Sequence, residues 1–509
     1  MTPAGPRPAE WLGYPKGALL IIGVEFWERF SFYGMLSILV LFLTGSPLHG
    51  GFGWPSSEAL ALLGAYSGAM YAFPAFGGYF ADRVLGRRRA VTLGATCMLI
   101  GQIMLASPVF LPALLGWWHS APLLQSLHEL GVPLGRVLPS DAIDAAIMGR
   151  GAALDAHSGA EWLKQAYTAA TVGFFVAIFL LILGNALMKS TLVVLCGETM
   201  ATDDPRREGA YTYYYLGISV GAMLSGFAVG SAAQAFGWHF GFAVAAAGMS
   251  VALGSYVLLA PRWLGAIGLH PDRRAPSGAS LTAAAATKGA GGEARLRIGL
   301  LFVLAALLCA FSVGWFQLFG SWLLYIEKDV NRAVGSFLIP VPWFTSINAA
   351  VVIVLAPMVA AFWVRLGTRN QRVDIVQKYA FALAMVTIGH LLMYVSARHA
   401  SPAAPASVWI PLVALSLLGM GEIVAWTATY GMVSRAAPAG FASVAMGAWY
   451  LLTLGLGGYL SGFTGGLLET MGFAGAFATV AAIMGVACVL ALLLRGPLSR
   501  LAARANVSL

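Results

Sequence analysis

The chain is a succession of long apolar stretches separated by short segments rich in Pro, Gly and charge. About 20 apolar residues in helical form cross a hydrocarbon core. In lipid, the helix satisfies every backbone N–H and C=O within its own segment. The pattern predicts twelve spanning helices, over 17–43, 59–81, 90–114, 168–196, 210–233, 240–260, 297–325, 337–363, 376–397, 408–433, 441–465 and 472–494. Boundaries such as TGSPLHGGFGWPSSE and HASPAAPAS carry the Pro and Gly that end helices.

One polar stretch stands near the midpoint. It reads APRWLGAIGLHPDRRAPSGASLTAAAATKGAGGEARLR, low in large apolar residues. It divides the chain into a tail over 1–16, a six-helix bundle over 17–261, a linker over 262–296, a second six-helix bundle over 297–495 and a tail over 496–509. The expected fold class is an all-α membrane protein of two bundles, the layout of a transporter with its site near the bilayer midplane. Between the third and fourth helices lies an insertion, roughly 109–167, with HSAPLLQSLHELG and SDAIDAAIMGRGAALDAHSGAEW read as short amphipathic helices. The linker is too polar to hold two further spans. The N-terminal segment has no signal-peptide pattern, and the first span, which contains three charges, is expected to be retained.

Composition agrees. Of 509 residues, 59% are hydrophobic and 10% charged, against about 25% charged in soluble domains. The net charge of +9 raises the question of nucleic acid, and placement answers it. Twenty-two of the thirty Lys and Arg fall in the tails and in the loops on one side, six in the opposite loops, and two inside helices. That bias is the positive-inside pattern. It predicts cytoplasmic termini, a multi-pass protein of the bacterial inner membrane, and no nucleic-acid partner. Cys97, Cys196, Cys309 and Cys488 sit in apolar runs without CxxC spacing and read as small core residues. His239 and His390 form no pair with metal-ligand spacing. No P-loop, GxSxG or HExxH occurs. Neither an ATP-driven pump nor an enzyme is expected, and no metal or cofactor.

The two charges inside helices, with their acidic neighbours, are the candidate chemistry. A charge at the centre of a bilayer costs at least about 2.5–3.5 kcal/mol. The first span nevertheless carries Glu25, Glu28 and Arg29 in GVEFWERFSFYGM, all on one helix face. Arg29 neutralises one carboxylate. Burial disfavours the charged form of the other, which makes it a candidate proton carrier. The plainer reading is a structural ion pair between helices. Lys189, in LGNALMKSTLVV, and Glu422, in LLGMGEIVAW, are each isolated in apolar runs. Snorkelling of the lysine and a packing hydrogen bond of the acid are their plainer readings. Cationic groups thus come from the first half and an anionic group from the second, a pairing that suits a zwitterion.

GVEFWERFSFYGM resembles the ExxERFxYYG signature of the proton-dependent oligopeptide transporter (POT) family of the major facilitator superfamily, with Phe32 for the first tyrosine. GGYFADRVLGRRRA is similar to the superfamily's loop after the second helix. LGNALMKS, DDPRREGAYTYYYLGISVGAM, FTSINAAVVIVLAPM, GMGE and SVAMGAWY resemble further family segments in register. The resemblance implies a proton-coupled symporter of di- and tripeptides or peptide-like zwitterions, working by alternating access. Protons are its coupling ion, and small peptides, protons and the lipid bilayer are its partners; the protein is expected as a monomer. It implies that Glu25, Glu28 and Arg29 form the coupling cluster, with Arg29 also facing substrate. Lys189 would bind the peptide carboxylate, and Glu422 with Asn348 the amino end. Tyr33, Tyr71 and Trp449 would line the pocket, and Asp82, Arg83, Arg87 and Arg88 would form a conformational latch.

Three departures stand out. Ser219 replaces a family asparagine, Gln317 stands where the seventh helix usually carries glutamate, and Ser190, not proline, follows the fourth-helix lysine. No acid occurs anywhere in 298–326. These changes, at Ser219 and Gln317 within the implied substrate site, keep two alternatives open. One is a carrier or exporter of a non-peptide or modified peptide; the other is a transport-deficient membrane sensor.

Overall fold

The structure is a computed structural model. It describes residues 10–45, 51–106, 156–201, 204, 206–271, 291–368, 373–401, 404–436 and 442–505. The insertion as far as 155 and the linker over 272–290 lie outside the described residues.

A two-residue hairpin, β1 (Glu10–Trp11) and β2 (Tyr14–Pro15), leads into α1 (Lys16–Thr44). The second predicted span is α2 (Ser56–Ala72), α3 (Pro74–Phe80) and a π-helical turn over Ala81–Leu85. Pro74 has no N–H to continue the helix before it, which accounts for the break at Phe73. Then come α4 (Arg87–Ala106), α5 (Ala156–Glu198), α6 (Arg207–Phe236) and α7 (Trp238–Trp263). Residues 156–167, expected as the end of the insertion, are instead the first turns of α5, continuous with the fourth span.

The seventh span is broken. It comprises α8 (Gly291–Phe316), a 3-10 turn over Gln317–Phe319, and α9 (Ser321–Asp329), with Gly320 between them at φ −124°, ψ −104°. Short strands β3 (Val330–Asn331), β4 (Ala333–Val334) and β5 (Phe337–Leu338) follow, then α10 (Trp343–Thr368) and α11 (Ile375–His399). A capping box starts α11: Asp374 accepts from the Gln377 backbone at 2.8 Å and Gln377 returns the bond to the Asp374 N–H at 3.2 Å. Strand β6 (Ala406–Ser407), which pairs in parallel with β3, precedes α12 (Trp409–Ala436). The eleventh span is α13 (Ala442–Tyr450), a π-helical turn over Leu451–Gly455, and α14 (Leu456–Ser461). The last is α15 (Thr464–Arg504), bent where Gly472 adopts φ 67°. Among the described residues, eleven helical segments are long and apolar enough to cross a membrane; the fragmented 441–465 segment is not among them.

The chain forms two compact units. The first comprises residues up to Ala59 and Arg87–Leu269. Helix α1 is its centre, packed against α5, α6 and α7. The second comprises Leu60–Gly86 and the residues from His270 onward, so most of the second span belongs to it. The reason is a seam of glycine. A Cβ at Gly462 would lie 3.1 Å from the Gly64 Cα and 2.9 Å from the Leu60 carbonyl, so α14 and α2 meet backbone to backbone. Such close approach drives helix association where lipid offers no hydrophobic advantage. Gly462→Val is expected to destabilise the protein by about 1–3 kcal/mol through overpacking, read as a lower thermal midpoint in detergent; an unchanged midpoint would show that the seam yields.

Two polar clusters in the membrane-spanning helices

The first unit gathers its buried charge around Arg29. Glu25, Glu28 and Arg29 are all nearly inaccessible, at 3%, 0% and 3% exposure. The Arg29 Nε donates to Glu28 Oε2 and lies 3.3 Å from Glu25 Oε1. Its Nη2 donates to Asn185 Oδ1 of α5 at 3.2 Å, and its guanidinium lies over the Phe32 ring at 5.1 Å. The second Glu25 oxygen accepts from the Tyr214 hydroxyl of α6 at 2.6 Å. Both Glu25 oxygens are therefore engaged, whereas Glu28 Oε1 is buried without a hydrogen-bond partner. The two carboxylates, equivalent in sequence, differ in structure. Lys189, half-buried on α5 one turn beyond Asn185, lies within electrostatic reach of Arg29, Glu28 and Glu25.

Glycine sets this geometry. A Cβ at Gly221 of α6 would come within 2.6 Å of the Phe26 carbonyl and 3.4 Å of the Arg29 Cβ. The α6 backbone thus rests on α1 beside Arg29, and Tyr214, two turns earlier on the same face, reaches Glu25. Asn185 and Tyr214 were not singled out in the sequence. The available signal was their setting: Asn185 stands four residues before Lys189, and Tyr214 lies in the YTYYYLG run.

The second unit holds the other cluster. Glu422 Oε2 accepts from the Trp315 indole N–H at 2.9 Å and from the Asn348 amide at 3.1 Å. Both donors converge on one oxygen, and Oε1 accepts no hydrogen bond among the described residues. Asn348 Oδ1 is buried without a partner. Two acceptor atoms are thus left on a held carboxylate and a held amide, a donor-poor arrangement suited to an ammonium group. Trp315 is a further residue that sequence reasoning missed, because a tryptophan in an apolar run gives no sign of where its N–H points.

The remaining candidates are placed as follows. Gln317 is 1% exposed and its amide is committed within the second unit. Its Nε2 donates to Val313 O at 3.1 Å and to Ser461 O at 3.4 Å; its Oε1 accepts from Ser321 at 2.6 Å and from Thr464 at 3.1 Å. It ties the broken seventh span to α14 and α15. Gln317→Ala is expected to cost about 1–3 kcal/mol through unsatisfied buried groups, measured as a loss of thermal stability; an unchanged midpoint would deny the residue this role. Ser219 is half-buried, and its hydroxyl donates back to Tyr215 O at 3.3 Å. Tyr33 is half-buried, with its ring edge-on to Phe32. Tyr71 is buried, with its ring 6.2 Å from Phe316. Trp449 is buried and its indole N–H has no hydrogen-bond partner. Asp82 and Arg83 stand on the π-helical turn. In the first unit Arg87 pairs with Glu198, and Arg88 donates to Gly265 O at 2.7 Å.

The eleven apolar spans among the described residues, in a fold of the major facilitator type with buried charge assembled inside each unit, define a multi-pass membrane transporter. The chain belongs to the POT family, whose sequence profile matches residues 88–289 and 277–483. Relatives include the uncharacterized transporter YclF of Bacillus subtilis, 23% identical over 93% of both chains. The peptide transporter YePEPT of Yersinia enterocolitica is 24% identical over 89% of this chain and 87% of its own. The dipeptide and tripeptide permease A of Salmonella typhimurium is 23% identical over 91% and 87%. Among solved structures, a peptide transporter POT in complex with sulfate superposes with a TM-score of 0.78 at 23% identity over 97% of each chain. A POT family transporter in complex with 5-aminolevulinic acid gives 0.77 at 19% identity, over 97% of this chain and 98% of that one.

Proposed function

We propose that the protein is a proton-coupled symporter of small peptides or peptide-like zwitterions, acting by alternating access in the bacterial inner membrane with both termini cytoplasmic. The observation that carries this reading is the Arg29 cluster. One buried carboxylate, Glu25, has both oxygens engaged, and its neighbour Glu28 retains an unpartnered oxygen that can hold a proton. Protonation of Glu28 removes its charge and weakens its hold on Arg29. A substrate carboxylate can then engage Arg29 or Lys189. Unpaired buried charge is costly, so proton and substrate are favoured together over either alone. Glu422 and Asn348 offer acceptors for the amino end. The proton is the coupling ion, no cofactor takes part, and the working unit is a monomer in the lipid bilayer. The names of the Yersinia and Salmonella relatives support a peptide substrate.

A second reading, a carrier of non-peptide zwitterions, is favoured by one observation. Gln317 stands in the stretch 298–326, which holds no acid, with its amide fully engaged. The POT family transporter solved in complex with 5-aminolevulinic acid supports this reading. Proteoliposomes with an inward proton gradient separate the readings. Concentrative uptake of a labelled dipeptide, abolished by a protonophore, supports peptide symport. Uptake of labelled 5-aminolevulinic acid with no dipeptide uptake supports the second reading. Failure to transport either, by folded and correctly oriented protein, overturns both.

A further inference from the structure

Residues 10–15, EWLGYP, place two bulky apolar side chains directly before the first span. They form a tight hairpin, Glu10 opposite Pro15 and Trp11 opposite Tyr14. The turn residues are Leu12 at φ 51° and Gly13 at φ 78°. A two-residue turn with both φ positive favours Asn-Gly. Leucine is sterically disfavoured there, and Leu12 is the sole non-glycine residue with positive φ among those described. Protein packing does not compensate for the strain, because Leu12 is 74% and Trp11 59% exposed. Strain of this kind points to a function outside the fold's own stability.

The hairpin does not hang loose. Arg206, the residue just before α6, donates to Glu10 Oε1 at 3.0 Å and to Gly13 O at 2.9 Å, and is itself held by Asp204 at 2.9 Å. The Tyr14 ring meets Tyr213 of α6 edge-on at 5.6 Å. Two residues later, the Lys16 ammonium lies 5.9 Å over the ring of Trp263, the last residue of α7. The tip therefore sits where α1 and α6 begin and α7 ends. Trp and Tyr beside Lys and Arg at the ends of spans mark the membrane–water boundary. Trp11 and Leu12 extend that belt.

We propose that the Trp11–Leu12 tip inserts into the headgroup–acyl boundary of the bilayer and anchors the start of α1. The occupant of this surface is lipid, because the tip is continuous with the aromatic belt of spans that are themselves lipid-embedded. Arg206 fixes the angle of the hairpin. The anchor sets the depth of α1, whose Glu25 follows about 14 Å along the helix from Lys16. This inference stands apart from the substrate and from proton coupling.

The test uses the full chain in phosphatidylethanolamine–phosphatidylglycerol vesicles. A nitroxide is placed by Trp11→Cys or, separately, by Leu12→Cys. Unmutated protein carried through the same labelling corrects for the native cysteines, of which three are buried and one half-buried. Collisions with oxygen, which partitions into lipid, are compared with collisions with a water-soluble nickel chelate. Oxygen-dominated collisions at both positions are expected. Adding Leu12→Asn to Trp11→Cys is expected to shift the label toward the nickel chelate. Asparagine suits the turn, so amide-exchange protection of the hairpin is expected to persist. Nickel-dominated collisions at both positions overturn the proposal. So does a label shielded from both reagents, which would mean that protein, not lipid, covers the tip.

Discussion

Arg29→Gln is expected to abolish proton-driven uptake and to lower stability by about 3–5 kcal/mol, the usual cost of removing one partner from a buried ion pair. The same guanidinium serves Glu28, Glu25 and Asn185. Without it, two carboxylates remain inside the first unit, where Lys189 is the nearby basic group. Stability and coupling are separable. The double variant Glu28→Gln/Arg29→Gln removes one charge of each sign and is expected to recover most of the thermal midpoint without recovering transport. Glu28→Gln alone is expected to lose the response to a proton gradient while retaining exchange of labelled for unlabelled substrate. Each variant is read by its thermal midpoint and by flux in proteoliposomes. Concentrative uptake by Glu28→Gln would refute the assignment of the proton to that residue.

Glu422→Gln is expected to raise KM for substrates with a free amino group by roughly thirtyfold or more, from the 2–5 kcal/mol carried by a buried charged pair. The isostere keeps the packing. Its amide oxygen can still accept from Trp315 and Asn348, which turns the NH2 toward the position now offered by Oε1. An acceptor is replaced by a donor, the wrong polarity for an ammonium. Trp315→Phe removes one of the two donors that orient the carboxylate. It is expected to raise KM about tenfold with little change in kcat, since a hydrogen bond to a charged group is worth about 1.5–3 kcal/mol. The control is a substrate acetylated at its amine. Wild type and Glu422→Gln are expected to handle it alike, and a persistent difference would place the role of Glu422 elsewhere.

Much of this was legible in the chain. The spans followed from hydropathy because lipid tolerates backbone only in hydrogen-bonded form. Glu25, Glu28, Arg29, Lys189 and Glu422 were visible because charge is conspicuous in an apolar run. Gln317 was noticed for the acid it replaces, and the structure shows what its amide does instead: it holds the broken seventh span through Ser321, Ser461 and Thr464. Ser219, noticed the same way, donates back to its own helix.

By itself the sequence determined the place of the spans, though of the twelve expected only eleven among the described residues are long and apolar enough to cross a membrane, together with the family signature and which ionisable groups lie inside the helices, since each of these depends on local composition and periodicity. The tertiary structure decided which oxygen is free. Glu25 and Glu28 share a helix face, and only the approach of α6 across Gly221, bringing Tyr214 to Glu25, makes them unequal. Likewise only packing brings Trp315 and Asn348 onto one oxygen of Glu422 and leaves the other open. Hydrogen-bond partners 74 to 189 residues apart are set by how helices meet, and a linear pattern carries no record of that.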